Sequence, residues 1–126
     1  MWTKILIVDD EEDIVEVLQE TFMLKDFMVY TASSGNKAKL LMSEHEFDVV
    51  VSDIRMNDGS GIDLLEFIQN LSTKKPLTYM ITGFSDYKVE DVIRLGGKDL
   101  VPKPFKIHDL LKRIQLDLDE MTARVI

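Results

Sequence analysis

Five side chains at the ends of four short apolar runs are the residues of this chain best placed to do chemistry. Asp9 and Asp10 follow Ile5-Leu6-Ile7-Val8, Asp53 follows Val49-Val50-Val51-Ser52, Thr82 follows Tyr79-Met80-Ile81, and Lys103 follows Leu100-Val101-Pro102. Near-continuous apolar runs read as buried parallel strands, and an open α/β sheet binds its ligands just beyond the carboxyl ends of those strands. Neighbouring strands would therefore bring three carboxylates, a hydroxyl and an ammonium to one edge. Clustered carboxylates repel one another, and either raised pKa values or a divalent cation relieves the repulsion. An all-oxygen donor set suits magnesium, which keeps several waters and leaves room for phosphate oxygens. Asp53, alone at the end of its run, is placed as a nucleophile that takes a phosphoryl group as an acyl phosphate. Asp9 and Asp10 are better placed as metal ligands. The metal and Lys103 would offset charge growing on the transferring oxygens, and Thr82 would offer its hydroxyl to one of them.

The elements that must position these residues follow from hydrophobic spacing. Residues 11–25 carry Ile14, Val17, Leu18, Thr21 and Phe22 at the repeat of one helical face. Residues 27–31 alternate as a short strand, and Ser33-Ser34-Gly35 supplies turn and N-cap chemistry for a helix with Ala38, Leu41, Met42 and His45 on one side. Residues 48–53 form the most apolar strand. The turn-rich loop Asn57-Asp58-Gly59-Ser60-Gly61 then leads to a helix with Ile62, Leu65 and Ile68 inward. A fourth strand over 77–82 precedes a short helix opened by Gly83-Phe84-Ser85-Asp86 and running to about Leu95, where Gly96-Gly97 ends it. A brief fifth strand over 99–102 leads into a last helix, to about Met121, with Ile107, Leu110, Leu111, Ile114 and Leu118 in register.

Alternating strands and helices predict a parallel sheet covered on both faces, because parallel neighbours need crossover connections. Right-handed crossovers narrow this to a doubly wound α/β fold of the flavodoxin-like kind: five strands in the order 2-1-3-4-5, with five helices on both faces. That order sets strands one and three side by side, so Asp9, Asp10 and Asp53 converge at the topological switch point.

Composition excludes several classes of function. At 126 residues and 45% hydrophobic content the chain fits one domain, with no length left for a cap or lid. A net charge of -8 argues against a surface that tracks nucleic-acid phosphates. No apolar run reaches the roughly 18 residues of a spanning helix. Met1-Trp2-Thr3-Lys4 leads directly into a strand with no signal-peptide layout, so a cytoplasmic setting without membrane attachment is expected. The absence of cysteine removes disulfides, thiolate metal sites and thiol nucleophiles. His45 and His108 fall on helices away from the strand ends, as solvated or half-buried histidines do.

Taken in order, Ile5-Leu6-Ile7-Val8-Asp9-Asp10-Glu11, Asp53-Ile54-Arg55-Met56, Thr82 and Lys103-Pro104-Phe105 resemble the receiver domain of bacterial two-component response regulators, over essentially the whole chain. The resemblance implies a single receiver domain across residues 1–126, with its core at about 3–121. It implies that Asp53 takes phosphate from a phosphohistidine on a histidine kinase or a histidine phosphotransfer protein. It implies that Asp10, Asp53 and the backbone carbonyl of Arg55 hold magnesium, with Asp9 acting directly or through water. Lys103 would bridge to the phosphoryl group, next to a peptide bond to Pro104 that the family usually makes cis, an isomer of modest cost only before proline. Output would pass to a further domain or downstream protein through the face of the fourth helix, fifth strand and fifth helix, and the resemblance admits a homodimer on phosphorylation.

The chain departs from the family pattern at Asn57, often proline, at Gly83, and at Leu100, the position of the usual switch aromatic. Without that ring, backbone and loop motion is expected to carry more of the output step, with exchange in residues 82–88. Arg55 and Phe84 flank the site and would shield it from water.

Three other readings stand beside this one. A magnesium-dependent phosphohydrolase with an aspartyl nucleophile would need a second acid two positions after a nucleophile on strand one; Asp9 is followed two on by Glu11 and Asp53 by Arg55, and the chain leaves no room for a cap domain. A flavin or dinucleotide module would need a glycine loop where Asp9-Asp10-Glu11-Glu12-Asp13 stands. A degenerate receiver would act as an interaction module without phosphorylation, although every acid, hydroxyl and lysine for the chemistry is present. An EF-hand fails, because either loop glycine placed at position six leaves Ile54 or Met56 at position one.

Overall fold

A computed structural model describes residues 2–83 and 87–125, the last two by backbone alone. Its strands are β1 (Lys4–Val8), β2 (Met28–Ala32), β3 (Val49–Asp53), β4 (Leu77–Thr82) and β5 (Asp99–Pro102). All pair in parallel in the order β2-β1-β3-β4-β5. The helices are α1 (Glu12–Met23), α2 (Gly35–Glu44), α3 (Gly61–Gln69), α4 (Val89–Arg94) and α5 (Ile107–Val125). This is the doubly wound sheet that the apolar runs predict.

Strand residues alternate between two apolar layers, as side chains of an extended chain must. On one face Ile5, Ile7, Val49, Val51, Tyr79 and Ile81 pack against Leu18 and Phe22 of α1 and against Leu110, Leu111 and Ile114 of α5. On the other, Leu6, Val8 and Val50 meet Ala38 and Met42 of α2 and Leu64 and Ile68 of α3. A third cluster, Ile54, Leu65, Met80 and Val92, joins α3 to α4, with Tyr87 and Leu100 packed against it. Burial on both faces is why β1 and β3 read as unbroken apolar runs.

Several boundaries and faces differ from expectation. The buried stripe of α1 centres on Leu18 and Phe22, so Val15 packs inward while Val17 is 48% exposed. An apolar stripe read from spacing leaves its edges open: Val15 lies on the side of Thr31 and Ala32 of β2, whereas Val17 borders an open cavity with Pro104, Phe105 and Ile107. In α3 the inward residues are Leu64, Leu65 and Ile68, with Ile62 half-buried, because this helix is covered by both the sheet and α4. α4 begins only at Val89, where the Lys88 amide donates to Asp91 Oδ2 at 2.9 Å. The predicted helix opening at Phe84, Ser85 and Asp86 lies outside the described residues, as does the predicted shielding role of Phe84. α5 runs past Met121 to Val125.

Polar groups tie the layers at two places. Tyr79, fully buried in β4, donates its hydroxyl to Asp117 of α5. Arg113 Nε lies 3.3 Å from that carboxylate, and its Nη1 lies 3.4 Å from Asp99 at the start of β5. Burial first, and then the Asp117 carboxylate, holds the Tyr79 phenol above its ordinary range.

At the opposite end of the sheet from the carboxyl edge, Asp48 accepts from the Lys4 amide at 2.8 Å and pairs with the Lys74 ammonium. Burial works against the Asp48 carboxylate, but these two donors outweigh it and lower its pKa. A depressed carboxyl stabilises the fold above its unfolded pKa and loses that contribution as pH falls through its folded value. Asp48→Asn is therefore expected to cost about 1–2 kcal/mol at neutral pH, a charged hydrogen bond partly screened by solvent. The deficit should disappear as pH falls through the lowered folded-state pKa of Asp48. Urea titrations of both chains across pH check this, and a deficit independent of pH would contradict it.

Candidate functional site

Parallel register brings the predicted residues to one edge. Val8 pairs with Ser52, so Asp9 and Asp53 follow side by side, while Thr82 pairs with Pro102 and Asp53 with Ile81. Asp9, Asp53 and Thr82 are buried and Asp10 is exposed. Each of Asp9, Asp10 and Asp53 presents a carboxylate oxygen within 4.8 Å of the others. Lys103 Nζ enters this group, 3.0 Å from Asp53 Oδ2, 3.5 Å from Asp9 Oδ2 and 3.2 Å from Glu11 Oε1. Its amide donates to the Thr82 carbonyl at 2.8 Å, so the fourth and fifth strand ends are fastened together. The Lys103–Pro104 peptide bond is cis, as the resemblance implied.

The electrostatics follow from burial among like charges. Burial raises the Asp9 carboxyl above the usual range more than the Glu11 amide and the Lys103 charge lower it, and the charges of Asp53 and Glu11 add to the rise. For Lys103, burial alone would favour the neutral amine. Hydrogen bonds to Asp53 and Glu11, with the charges of Asp53 and Asp9, outweigh burial and hold the ammonium above its ordinary value. The lysine is a fixed cation among acids.

Sequence reasoning missed Glu11 as a Lys103 partner. The Asp9-Asp10-Glu11 run reads as a helix start, and Asp9 Oδ1 does accept the Glu11 amide at 2.9 Å. The acidic run was the signal, yet only three dimensions show which carboxylate turns toward the lysine. Also missed was the anchoring of the β3–α3 loop. Asp58, at φ 58°, accepts from Ser34 Oγ at 3.2 Å and Asn36 Nδ2 at 2.9 Å, and the Gly35 amide donates to the Gly59 carbonyl at 3.0 Å. The turn residues of that loop were legible, but their partner at the start of α2 was not. The Arg55 amide lies 3.4 Å from Asp53 Oδ1, and Leu100 packs against the α3–α4 cluster.

Gly61 positions the nucleophile candidate from behind. A Cβ there would fall 2.2 Å from the Asp53 carbonyl oxygen and 2.9 Å from Ile54 Cα, both backbone atoms. Gly61→Ala must therefore move the chain at Asp53, and we expect a loss of about 1–3 kcal/mol in urea denaturation, the usual cost of overpacking. A variant as stable as the parent would show that the loop adapts without strain.

Residues 5–115 match the family described as the response regulator receiver domain. The chain belongs to this family. The receiver domain is 34% identical over 119 residues to the response regulator SaeR of Staphylococcus aureus, covering 94% of this chain and 52% of that protein. It thus spans about half the length of the curated relatives it matches. Among solved structures it resembles a CheY-like receiver domain protein from Methanospirillum hungatei, with a TM-score of 0.88 at 25% identity and coverage of 98% and 99% of the two chains. It also resembles the structure of a CheX–CheY–BeF3–Mg complex from Borrelia burgdorferi, at TM-score 0.83 and 28% identity, covering 92% of this chain and 89% of that one. Among the described residues, no helix of the receiver domain is long and apolar enough to cross a membrane.

Proposed function

We propose that Asp53 is the phosphoacceptor of this receiver domain and takes its phosphoryl group from a phosphohistidine on a histidine kinase or phosphotransfer protein. The observation that carries the reading is Lys103 Nζ at 3.0 Å from Asp53 Oδ2, inside a cluster that also holds Asp9 and Asp10. An Asp53 oxygen forms the new O–P bond as the P–N bond of the donor breaks, and the electron pair returns to the imidazole nitrogen. The ring, already protonated on its other nitrogen, leaves neutral. Lys103 neutralises charge on the phosphoryl oxygens, and Thr82 offers its hydroxyl to the product.

The oxygen-only donor set fits magnesium, held by Asp10, Asp53 and the Arg55 carbonyl, with Asp9 direct or through water. When bound, the ion supplies further positive charge at the transferring group. The magnesium named with the similar Borrelia complex supports the choice of ion.

The phosphoryl group adds up to about two negative charges. Lys103 must then divide its contacts between acids and phosphate, and the shared Thr82–Lys103 hydrogen bond carries the change to β4 and β5. Output by the α4–β5–α5 face, to a further domain or downstream protein, and a homodimer on phosphorylation belong to this proposal, as does a cytoplasmic setting. A phosphohydrolase gains no support: Arg55 stands two positions after Asp53, and Glu11, the acid two positions after Asp9, is paired with Lys103.

Incubation with magnesium and a small phosphodonor tests the reading. One hydroxylamine-labile phosphate should appear, and borohydride reduction followed by peptide mapping should place it at Asp53. Labelling at another residue, or none, would overturn it.

A further inference from the structure

Beside the acid cluster lies an open cavity of about 690 Å³ that contains Asp10, the one exposed member of the cluster. Arg55 and Asn57 of the β3–α3 loop line it, and Ile62 and Tyr87 add apolar surface from the α3 and α4 sides. Tyr87 is half-buried. Part of its ring packs against the Ile54, Leu65, Met80 and Val92 cluster, and the rest borders the cavity. An aromatic ring with an apolar backing has few positions to occupy, so it presents a nearly fixed surface. The other rim is also restrained, by the bonds of Asp58 to Ser34 and Asn36 and by the Gly61 amide on the Ile54 carbonyl at 2.8 Å.

A space of this size and openness suits a side chain projecting from another protein better than an enclosed small ligand. Among the described residues Tyr87 is the one aromatic side chain lining it, and it shares the cavity with Asp10, whose carboxylate lies within 4.8 Å of the Asp53 carboxylate that the phosphoryl group must reach. A phosphorylated imidazole is flat and aromatic, and aromatic pairs gain from offset or edge contact beyond the burial of area.

We propose that Tyr87 is a specificity-determining residue for phosphoryl transfer, its ring meeting the imidazole of the donor as that side chain enters the cavity. The inference rests on the phosphoacceptor reading of Asp53 and adds to it a preference for donors that carry a ring over donors that lack one. Nothing in the acid cluster itself distinguishes the two, because the bond broken is the same.

Two small donors isolate the ring. Phosphoramidate and monophosphoimidazole both lose a P–N bond to Asp53, the electron pair returning to nitrogen, and release ammonia or imidazole with protons the donors already carry. Phosphate incorporation by mass spectrometry, with magnesium present, gives kcat/KM for each. Tyr87→Leu keeps apolar packing against Met80 and Val92 but removes the π face, and the ratio of imidazole donor to phosphoramidate should fall about fivefold, the size of one aromatic contact. Tyr87→Phe keeps the ring and should hold the ratio within about twofold of the parent.

A proportionate loss with both donors in Tyr87→Leu would show a merely structural role and overturn the proposal. An unchanged ratio would do the same, and in either case the parent's labelling at Asp53 would leave the phosphoacceptor reading intact. Failure of both donors to label the parent would overturn that reading and the donor preference together.

Discussion

Asp53→Asn is expected to take up no phosphate from any donor while remaining folded. The carboxamide matches the carboxylate in volume, so the buried end of β3 keeps its packing, but it lacks the anionic oxygen that forms the O–P bond. Its effect on stability should be small because opposing terms leave together. The substitution removes the attraction to Lys103 at 3.0 Å and the repulsion from Asp9 and Asp10. Relief of Asp9 is direct, since the Asp53 charge is one cause of its raised pKa. In chelator the variant should unfold within about 1 kcal/mol of the parent, the range of a substitution without a cavity or an orphaned charge. It should bind magnesium more weakly. Mass spectrometry and urea denaturation with and without magnesium check the set, and phosphate uptake equal to the parent would remove Asp53 from its assigned role.

Lys103→Met should have the opposite pattern, with a large cost to stability and a partial loss of transfer. Methionine fills much of the space of the lysine stem, so packing beside Pro104 survives. What is lost is a cation within reach of Asp9, Asp53 and Glu11 together, two of them buried. Removing one partner of a buried pair leaves an uncompensated charge, and the usual penalty is about 3–5 kcal/mol. The Lys103 side chain is 17% exposed, and Asp9 escapes part of the cost by protonating more readily, so about 2–3 kcal/mol in chelator is expected. Magnesium should recover part of it. Phosphoryl transfer should slow about a hundredfold, the range seen when one preorganised electrostatic contact is removed. Equal stability of parent and variant in chelator, or unchanged labelling, would refute this account of the lysine.

The convergence of Asp9, Asp53, Thr82 and Lys103 was legible because chirality and crossover geometry leave few ways to order five parallel strands. Once β1 and β3 are neighbours, the acids that end them must meet. The inward choice between Val15 and Val17 was not legible, since both border the same helical stripe and only the seating of α1 against β2, with Val15 beside Thr31 and Ala32, separates them. Glu11 escaped notice because a long side chain at a helix start has several places to go. Tyr79 and Asp117 are 38 residues apart, and no local pattern announces that a buried phenol will find a carboxylate on the last helix. The Asp58 anchor to α2 has the same origin, a turn whose conformation is local and whose partner is not.

The Tyr79–Asp117–Arg113–Asp99 chain divides the molecule mechanically. It bolts the middle of β4, the start of β5 and the middle of α5 into a single stiff frame, with the Thr82–Lys103 hydrogen bond closing the far end. α4 stands outside that frame: six residues long, it is fully buried only at Val92. A push delivered at the strand ends therefore meets a rigid body on one side and a short, lightly seated helix on the other. The displacement should go to the component that costs least to move, so α4 is expected to be the compliant part and α5 the stationary reference against which its movement is read.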